Sequence, residues 1–184
     1  MKLFARPGKE NTAETLKIAV EGAKARGISK IVIASNSGQS VQELLKLDVA
    51  GMKIVCVSHV CGFKNPGEQE MSDEVRAELE KSGVKVVTMT HALSGGERAI
   101  SNKFHGLGPM EVAAYTLRMF GQGTKVCVEI ALMAADAGAI GYREPVMAIG
   151  GTGTGEDTAI VLRAGHTASW LDTKVDEILC KPQP

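Results

Sequence analysis

The chain has 184 residues, of which 44% are hydrophobic, and this size and composition predict one compact domain over residues 1–184. It carries 21 basic and 21 acidic side chains without a Lys/Arg-rich run, which argues against nucleic acid as a partner. The amino terminus does not resemble a signal peptide and no apolar run approaches the roughly 20 residues of a membrane span, so we expect a cytoplasmic protein with no membrane partner.

Helices and strands are predicted to alternate along the first half of the chain. The first helix begins at a cap candidate, Asn11 or Thr12, and ends at Gly27. Short β-branched runs follow, which are typical of strands covered on both faces. The predicted order after the first helix is strand 28–34, helix 39–47, strand 53–58, helix 72–80 and strand 84–88.

The second half begins with a long polar stretch, from Met89 to Pro109, which is predicted to be a loop. Helical segments are predicted at 110–120 and 124–139, and the second is apolar nearly all round, so we expect it to be buried between layers. A glycine turn joins predicted strands at 145–149 and 158–163, which indicates an antiparallel hairpin. The tail from Lys174 to Cys180 is compatible with a helix or an edge strand.

The repeated strand-helix crossovers predict an α/β fold, with a parallel sheet covered by helices on both faces. In such sheets ligands bind at the carboxyl ends of the strands. Four of the predicted strands end there in loops rich in Gly, Ser, Thr and His, which together form a donor-rich crevice. These loops are residues 35–38, 58–62, 90–96 and 150–154.

The most informative of these loops is Ser35–Ser40, which connects a strand to a helix and which we call the serine loop. A helix that begins there directs free backbone N–H groups and the positive end of its dipole into the turn. The hydroxyls of Ser35, Ser37 and Ser40 add donors, and Gly38 allows a close approach of a ligand. This pattern predicts a phosphate site. The alternative is that Ser37 or Ser40 only caps the helix.

Residues of three other segments are expected to complete this phosphate site. Thr152 and Thr154 are expected to close on the phosphate, while Asn11 and Thr12 either face the same edge or are ordinary helix caps. The predicted binding residues are Ser35, Asn36, Ser37, Gly38, Gln39, Ser40, His59, His91, Gly151, Thr152, Gly153, Thr154, Asn11 and Thr12.

An enzyme is the alternative to a binding protein. His59 and His91 follow strands, and histidine as a residue type suits proton transfer at neutral pH, so either is a candidate general acid or base, or else a hydrogen-bonded loop residue. Arg98 and Lys103, in the predicted long loop, either meet a phosphate or are solvated surface charges. No residue pattern fixes a reaction.

The cysteines and histidines do not form a standard metal-binding pattern. The possible ligands Cys61, His59, His91 and His105 lack the spacing of zinc sites, so we expect no metal. The other three cysteines lie in or beside apolar runs and are predicted to be buried thiols. Cys61, beside Gly62 in a predicted loop, is the candidate reactive thiol.

Residues 31–40 resemble a segment of the carboxyl-terminal α/β domain of pyruvate kinase, in which a strand ends in a Ser-x-Ser-Gly-x-Ser type loop. In effector-regulated pyruvate kinases this loop holds a phosphate of fructose 1,6-bisphosphate. Residues 146–162 are similar to the second effector loop of that domain. The resemblance implies a three-layer α/β/α fold with a mixed five-stranded sheet, in order 3-2-1-4-5 along the predicted strands and with the fifth antiparallel.

The departures from that family point away from its activity and its effector. The catalytic barrel needs about 250 residues, so we expect no pyruvate kinase activity. Small residues at Gly151-Thr152-Gly153 replace the bulky Trp and Arg that grip fructose 1,6-bisphosphate. The chain most resembles stand-alone archaeal proteins built on this domain, which are similar to flavin mononucleotide (FMN) binders, so FMN is the expected cofactor.

A third possibility is a regulatory or oligomerisation module that binds a sugar phosphate. The pyruvate kinase domain that the chain resembles takes part in contacts between subunits. Met110, Met119 and Met133 either pack against a second copy in a homo-oligomer or belong to the core.

Overall fold

The structure, a computed structural model, describes residues 1–183. Two short 3-10 segments, Lys9–Asn11 and Thr167–Asp172, accompany its helices and strands. The α-helices and β-strands are, in chain order, β1 (Lys2–Phe4), α1 (Thr12–Ala25), β2 (Lys30–Ala34), α2 (Gln39–Leu44), β3 (Lys53–Ser58), α3 (Asp73–Lys81), β4 (Lys85–Thr88), α4 (Gly95–Phe104), α5 (Pro109–Arg118), α6 (Gln122–Asp136), β5 (Pro145–Gly150), β6 (Thr158–Arg163) and β7 (Lys174–Pro182).

All strands belong to one mixed sheet in the order β1-β7-β6-β5-β2-β3-β4. Strands β4, β3, β2 and β5 pair in parallel, and β6 is antiparallel to β5 as predicted. The prediction of five strands is wrong, and the order of the complete sheet differs from the expected one. The sheet continues beyond β6 because β7 pairs antiparallel with β6 and β1 pairs parallel with β7.

The two additional strands carry weak sequence signals. Strand β1 has only three residues, too few to show an alternating pattern. The tail, for which helix and edge strand remained open, forms β7, and β7 lies between β6 and β1 instead of at the edge.

Two helix predictions also need correction. The predicted loop 89–109 contains α4, which has ten residues and buries none of them, so it lacks the apolar face that marks a helix in a sequence. Helix α2 ends at Leu44 instead of Leu47 and has only six residues. A helix this short adds less dipole at its amino end than the longer helix that was expected.

The sheet separates two hydrophobic clusters. Successive side chains of a strand point to opposite faces, so Ile31 and Ile33 of β2 join one cluster while Val32 joins the other. The first cluster includes side chains of α1, α2 and α3. The second includes most of α6, which packs against both the sheet and α5, so the expectation of a buried helix is confirmed.

The parallel pairing of β2, β3, β4 and β5 brings the carboxyl ends of these four strands to one edge of the sheet. The loops that follow them therefore lie side by side. Within residues 1–183, no helix combines the length and the apolar character that crossing a bilayer requires.

Candidate functional site

A cavity of about 980 Å³ opens at the carboxyl edge of the sheet. Its walls come from the loops after β2, β3, β4 and β5, from α6, and from the 3-10 segment that precedes α1. A cavity of this size accommodates a ligand as large as a nucleotide.

Most of the predicted binding residues line this cavity. Gly38, Thr152 and Asn11 are the exceptions, and each has a structural role described below. The lining members of the predicted set are Thr12, Ser35, Asn36, Ser37, Gln39, Ser40, His59, His91, Gly151, Gly153 and Thr154.

Gly38 faces the protein interior instead of a ligand. It has a φ of +84°, and a Cβ at this position would lie 2.6 Å from Val75 Cγ1 of α3. Gly38 is also the N-cap of α2, and within residues 1–183 no side chain makes a capping hydrogen bond there. The alternative that Ser37 or Ser40 caps the helix is therefore wrong, and both side chains lie in the cavity wall.

Asn11 and Thr152 contribute to the loops that surround the cavity. The Asn11 side-chain amide donates to the carbonyls of Arg6 (2.8 Å) and Gly8 (3.2 Å), so it closes a turn and makes no side-chain cap on α1. The Thr152 N–H donates to Asp157 Oδ2 at 3.1 Å. The Asn11 side chain and the Thr152 backbone thus help to hold the loops of the wall in place.

Asp157 joins the amino-terminal segment to the glycine turn between β5 and β6. Its Oδ2 accepts the Gly8 N–H at 3.2 Å as well as the Thr152 N–H, and its Oδ1 accepts the Thr158 hydroxyl at 2.8 Å. The two segments approach so closely that a Cβ on Gly155 would lie 2.6 Å from Lys9 Cα. These contacts bring Lys9 to the cavity wall.

Glu156 is a buried carboxyl group in the same wall. Its N–H donates to the Thr12 hydroxyl at 3.0 Å, while its Oε2 has no hydrogen-bond partner within residues 1–183. Burial raises the pKa of Glu156 to about 8, and a hydrogen bond from the Ser40 side chain opposes this rise. The carboxyl group is therefore protonated at neutral pH and able to donate a hydrogen bond.

An imidazole–carboxylate pair lies in the loop after β3. His59 Nδ1 is 2.5 Å from Glu70 Oε2, and Lys64 Nζ is 2.6 Å from the other oxygen of Glu70. The His59 ring lies 3.8 Å from the Phe63 ring and 5.3 Å from the His91 ring, measured between centroids. These three rings form an aromatic cluster in the cavity wall.

Another part of the cavity wall is basic. Lys125 of α6 is only 6% exposed and pairs with Glu129, which is 5% exposed. Glu129 Oε1 also accepts the Leu93 N–H at 3.0 Å, which connects α6 to the loop after β4. Arg98 of α4 and Arg118 of α5 line the cavity beside this pair.

Seven functional candidates escaped the sequence analysis, namely Lys125, Glu129, Arg118, Glu156, Lys9, Glu70 and Phe63. A signal for the first two exists, because a Lys and a Glu four positions apart lie on one side of a helix that is otherwise apolar. Glu156 also has a sequence signal, because it comes just before β6, a strand with no charged residue until its last one, Arg163. An acidic residue so close to an apolar strand differs from an ordinary turn residue.

The remaining candidates are distributed as follows. Lys103 lies outside the cavity, and Arg98 lies in its wall. Cys61 is exposed and the other three cysteines are buried. Met133 belongs to the core, so it does not contact a second copy, whereas Met119 is 81% exposed. The part of the chain that the structure describes contains no group of three or more His, Cys, Asp or Glu side chains arranged to hold a metal ion.

Two comparisons relate the chain to known proteins. One matches the chain to a crystal structure of a pyruvate kinase from Cryptosporidium parvum, with 15% sequence identity and a TM-score of 0.43. That match covers 83% of this chain and 22% of the pyruvate kinase chain. The model of the pyruvate kinase alpha/beta domain family matches residues 13–162, more than half of the sequence. The chain therefore belongs to the pyruvate kinase alpha/beta domain family.

Proposed function

We propose that the cavity binds a phosphate-bearing small molecule, whose phosphate lies against the serine loop. The observation that carries this proposal is the wall formed by Ser35, Ser37 and Ser40 together with Lys9, in a cavity of about 980 Å³. Hydroxyl donors and an ammonium group are suitable partners for phosphate oxygens. Within residues 1–183 Lys9 forms no ion pair, so its charge is not neutralised by a carboxylate.

FMN is the ligand that we favour. The resemblance of the chain to stand-alone proteins similar to FMN binders supports this choice, and the cavity has room for a nucleotide. The cluster of His59, Phe63 and His91 offers ring faces on which a planar isoalloxazine can stack.

The first test is the visible absorption spectrum of the protein purified without added ligand, with mass spectrometry of any molecule released on denaturation. A yellow protein that releases about one FMN per chain would support the proposal. A colourless protein that binds neither FMN nor inorganic phosphate in calorimetry would contradict it.

A charge change in the serine loop tests where the phosphate lies. Ser37 is exposed in the cavity wall, so Ser37→Asp introduces a negative charge there without disturbing the core. Repulsion should lower the affinity for inorganic phosphate at least tenfold, or about 1.4 kcal/mol. The matched control is Ser29→Asp, at an exposed position just before β2 and hence at the opposite edge of the sheet.

A second candidate function is proton-transfer catalysis on the bound ligand, which the contact of His59 Nδ1 with Glu70 favours. A carboxylate on Nδ1 fixes the imidazole and leaves Nε2 available to exchange a proton. If the protein turns over a phosphate ester, His59→Gln should abolish turnover and leave the affinity for inorganic phosphate unchanged. Equal turnover by this variant and the parent protein would exclude such a role.

A further inference from the structure

Lys125 is a buried ammonium group whose hydrogen-bonding capacity is only partly used. An ammonium has three N–H donors, and the bond that Lys125 makes within residues 1–183 is to Glu129. That carboxylate is itself shared with the Leu93 N–H. Lys125 lines the cavity, so its remaining donors are available to a ligand.

Two guanidinium groups lie near this ammonium. Burial lowers the pKa of Lys125, Glu129 raises it, and the charges of Arg118 and Arg98 add to the lowering. Both arginines therefore act electrostatically on the same point. They also line a smaller cleft next to the cavity, together with Lys125.

The arginines lack partners that would neutralise them. Arg118 Nε donates to the neutral Gln122 side chain at 2.7 Å, and its guanidinium carbon lies 4.8 Å from the centroid of the Tyr115 ring. In the described part of the chain, neither Arg98 nor Arg118 forms an ion pair. Glu111 lines the smaller cleft, but its Oε2 accepts the Gly108 N–H at 3.2 Å.

Three cations thus share one wall, and one of them has a carboxylate partner. Like charges held together in a partly buried site repel one another unless an anion joins them. We propose that Arg98, Arg118 and Lys125, which we call the basic wall, form a second anion-binding site in the cavity. A single ligand that occupies both sites carries two acidic groups, one on the serine loop and the other, a phosphate or a carboxylate, on the basic wall, whereas FMN, with its one phosphate, would occupy the serine loop alone. Only the serine-loop end rests on the proposed function.

Counting bound phosphate ions tests the second site. Titration with inorganic phosphate, followed by ³¹P NMR and calorimetry, should give two ions per chain for the parent protein. The double variant Arg98→Gln/Arg118→Gln should bind one phosphate ion, because two of the three cations of the basic wall are gone. It should remain folded, because Arg98 is exposed and Arg118 is half-buried, so their loss does not open the core. Lys125 is left in place, since its removal would leave Glu129 buried without its partner.

The matched control is Lys85→Gln with Lys103→Gln, which removes two exposed positive charges outside the cavity. It should retain two phosphate ions, and thermal unfolding should show that both double variants remain folded. If the parent protein binds a single phosphate ion and the Arg98/Arg118 variant still binds it, the proposal of a second site is overturned. Failure of the serine-loop proposal is distinguishable, because Ser37→Asp would then leave the phosphate count unchanged.

A series of linear alkane bisphosphonates tests whether one ligand reaches both sites. At a matching chain length the second contact becomes intramolecular, so the affinity should exceed that of the corresponding monophosphonate by about 100-fold or more. The Arg98/Arg118 variant should lose this gain, while Lys85/Lys103 should keep it. If no bisphosphonate of any length binds more tightly than the monophosphonate, a ligand with two acidic groups is excluded.

Discussion

The Asp157 carboxylate accepts a hydrogen bond from the Gly8 backbone N–H at 3.2 Å, although 149 positions separate the two residues. The same oxygen accepts the Thr152 N–H at 3.1 Å, so a single buried side chain fixes two walls of the cavity to each other. The position of Lys9 therefore depends on a residue that does not itself line the cavity.

Replacement of Asp157 should loosen this connection. Asp157→Ala leaves the N–H groups of Gly8 and Thr152 without their acceptor, which should lower the free energy of unfolding by about 2–4 kcal/mol. Urea denaturation measures this loss, and phosphate affinity should fall with it because Lys9 is no longer held. Asp176→Ala, which removes an exposed carboxylate paired with Arg163, is the control and should change stability by less than about 1 kcal/mol. Equal effects of the two substitutions would contradict the role of Asp157.

The buried carboxyl of Glu156 should make stability depend on pH. Its pKa is raised from 4.5 to about 8, mainly by burial and further by the charge of Asp157, against the Ser40 hydrogen bond. Between these two values the folded protein keeps a proton that the unfolded chain has lost. The free energy of unfolding should therefore fall by up to about 1.4 kcal/mol for each pH unit across this window, and level off above it.

Glu156→Gln removes this titration without changing the size of the side chain. Relative to the parent protein, the variant should become more stable as the pH rises from 4.5 to about 8. Urea denaturation at several pH values in this window is the measurement. A constant difference between variant and parent across the window would show that Glu156 is not protonated in the folded protein.

Replacing Gly38 should destabilise the fold more than replacing a glycine of similar backbone conformation that has open space around it. Gly38→Ala forces a Cβ within 2.6 Å of Val75 Cγ1 at a φ of +84°. Gly51 has a similar φ of +77° with no atom within 4 Å of its Cβ position, so Gly51→Ala isolates the backbone strain of about 1–2 kcal/mol. Thermal denaturation should show a larger loss for Gly38→Ala, and Val75→Ala should reduce the difference. Identical losses at both glycines would exclude the contact with Val75.

The Glu97 carboxylate should hold α4 against α5. Its two oxygens accept the N–H groups of Met110 (3.3 Å) and Glu111 (2.9 Å) at the start of α5. Glu97→Ala should cost about 1 kcal/mol locally and speed hydrogen exchange of those two amides. Glu78→Ala, at an exposed position of α3, is the control and should leave their exchange unchanged. Unaltered exchange in Glu97→Ala would contradict the capping role.

The sequence predicts those elements whose burial imposes a regular pattern. Strands β2 and β3 are short β-branched runs because both of their faces are covered, and α6 is apolar because it lies between the sheet and α5. Helix α4 has no buried residue, so nothing in its pattern separates it from a polar loop. Strand β1 is defined by its pairing with β7, a contact between opposite ends of the sequence.

The residues of the candidate site follow the same rule: those with a local sequence pattern could be predicted, and those that only the fold brings together could not. The serine loop is visible because its polar residues stand between a buried strand and a helix. The contact of His59 with Glu70 depends on how the loop after β3 folds back, and that of Asp157 with Gly8 depends on the whole sheet. Arg98 and Arg118 lie on different helices, and their shared wall arises only when α4 packs against α5 and α5 packs against α6.

The ion pair of Lys125 and Glu129 lies where an ordinary helix of this kind would carry two apolar side chains. Exchanging a buried ion pair for well-packed apolar residues is often neutral or stabilising by about 1–4 kcal/mol. Selection for stability alone would therefore retain these charges only for the hydrogen bond that Glu129 accepts from the Leu93 N–H. Under the proposed second anion site, their presence marks a position where the demands of folding and of recognition diverge, and a more stable version of this domain with an apolar pair here should bind inorganic phosphate more weakly.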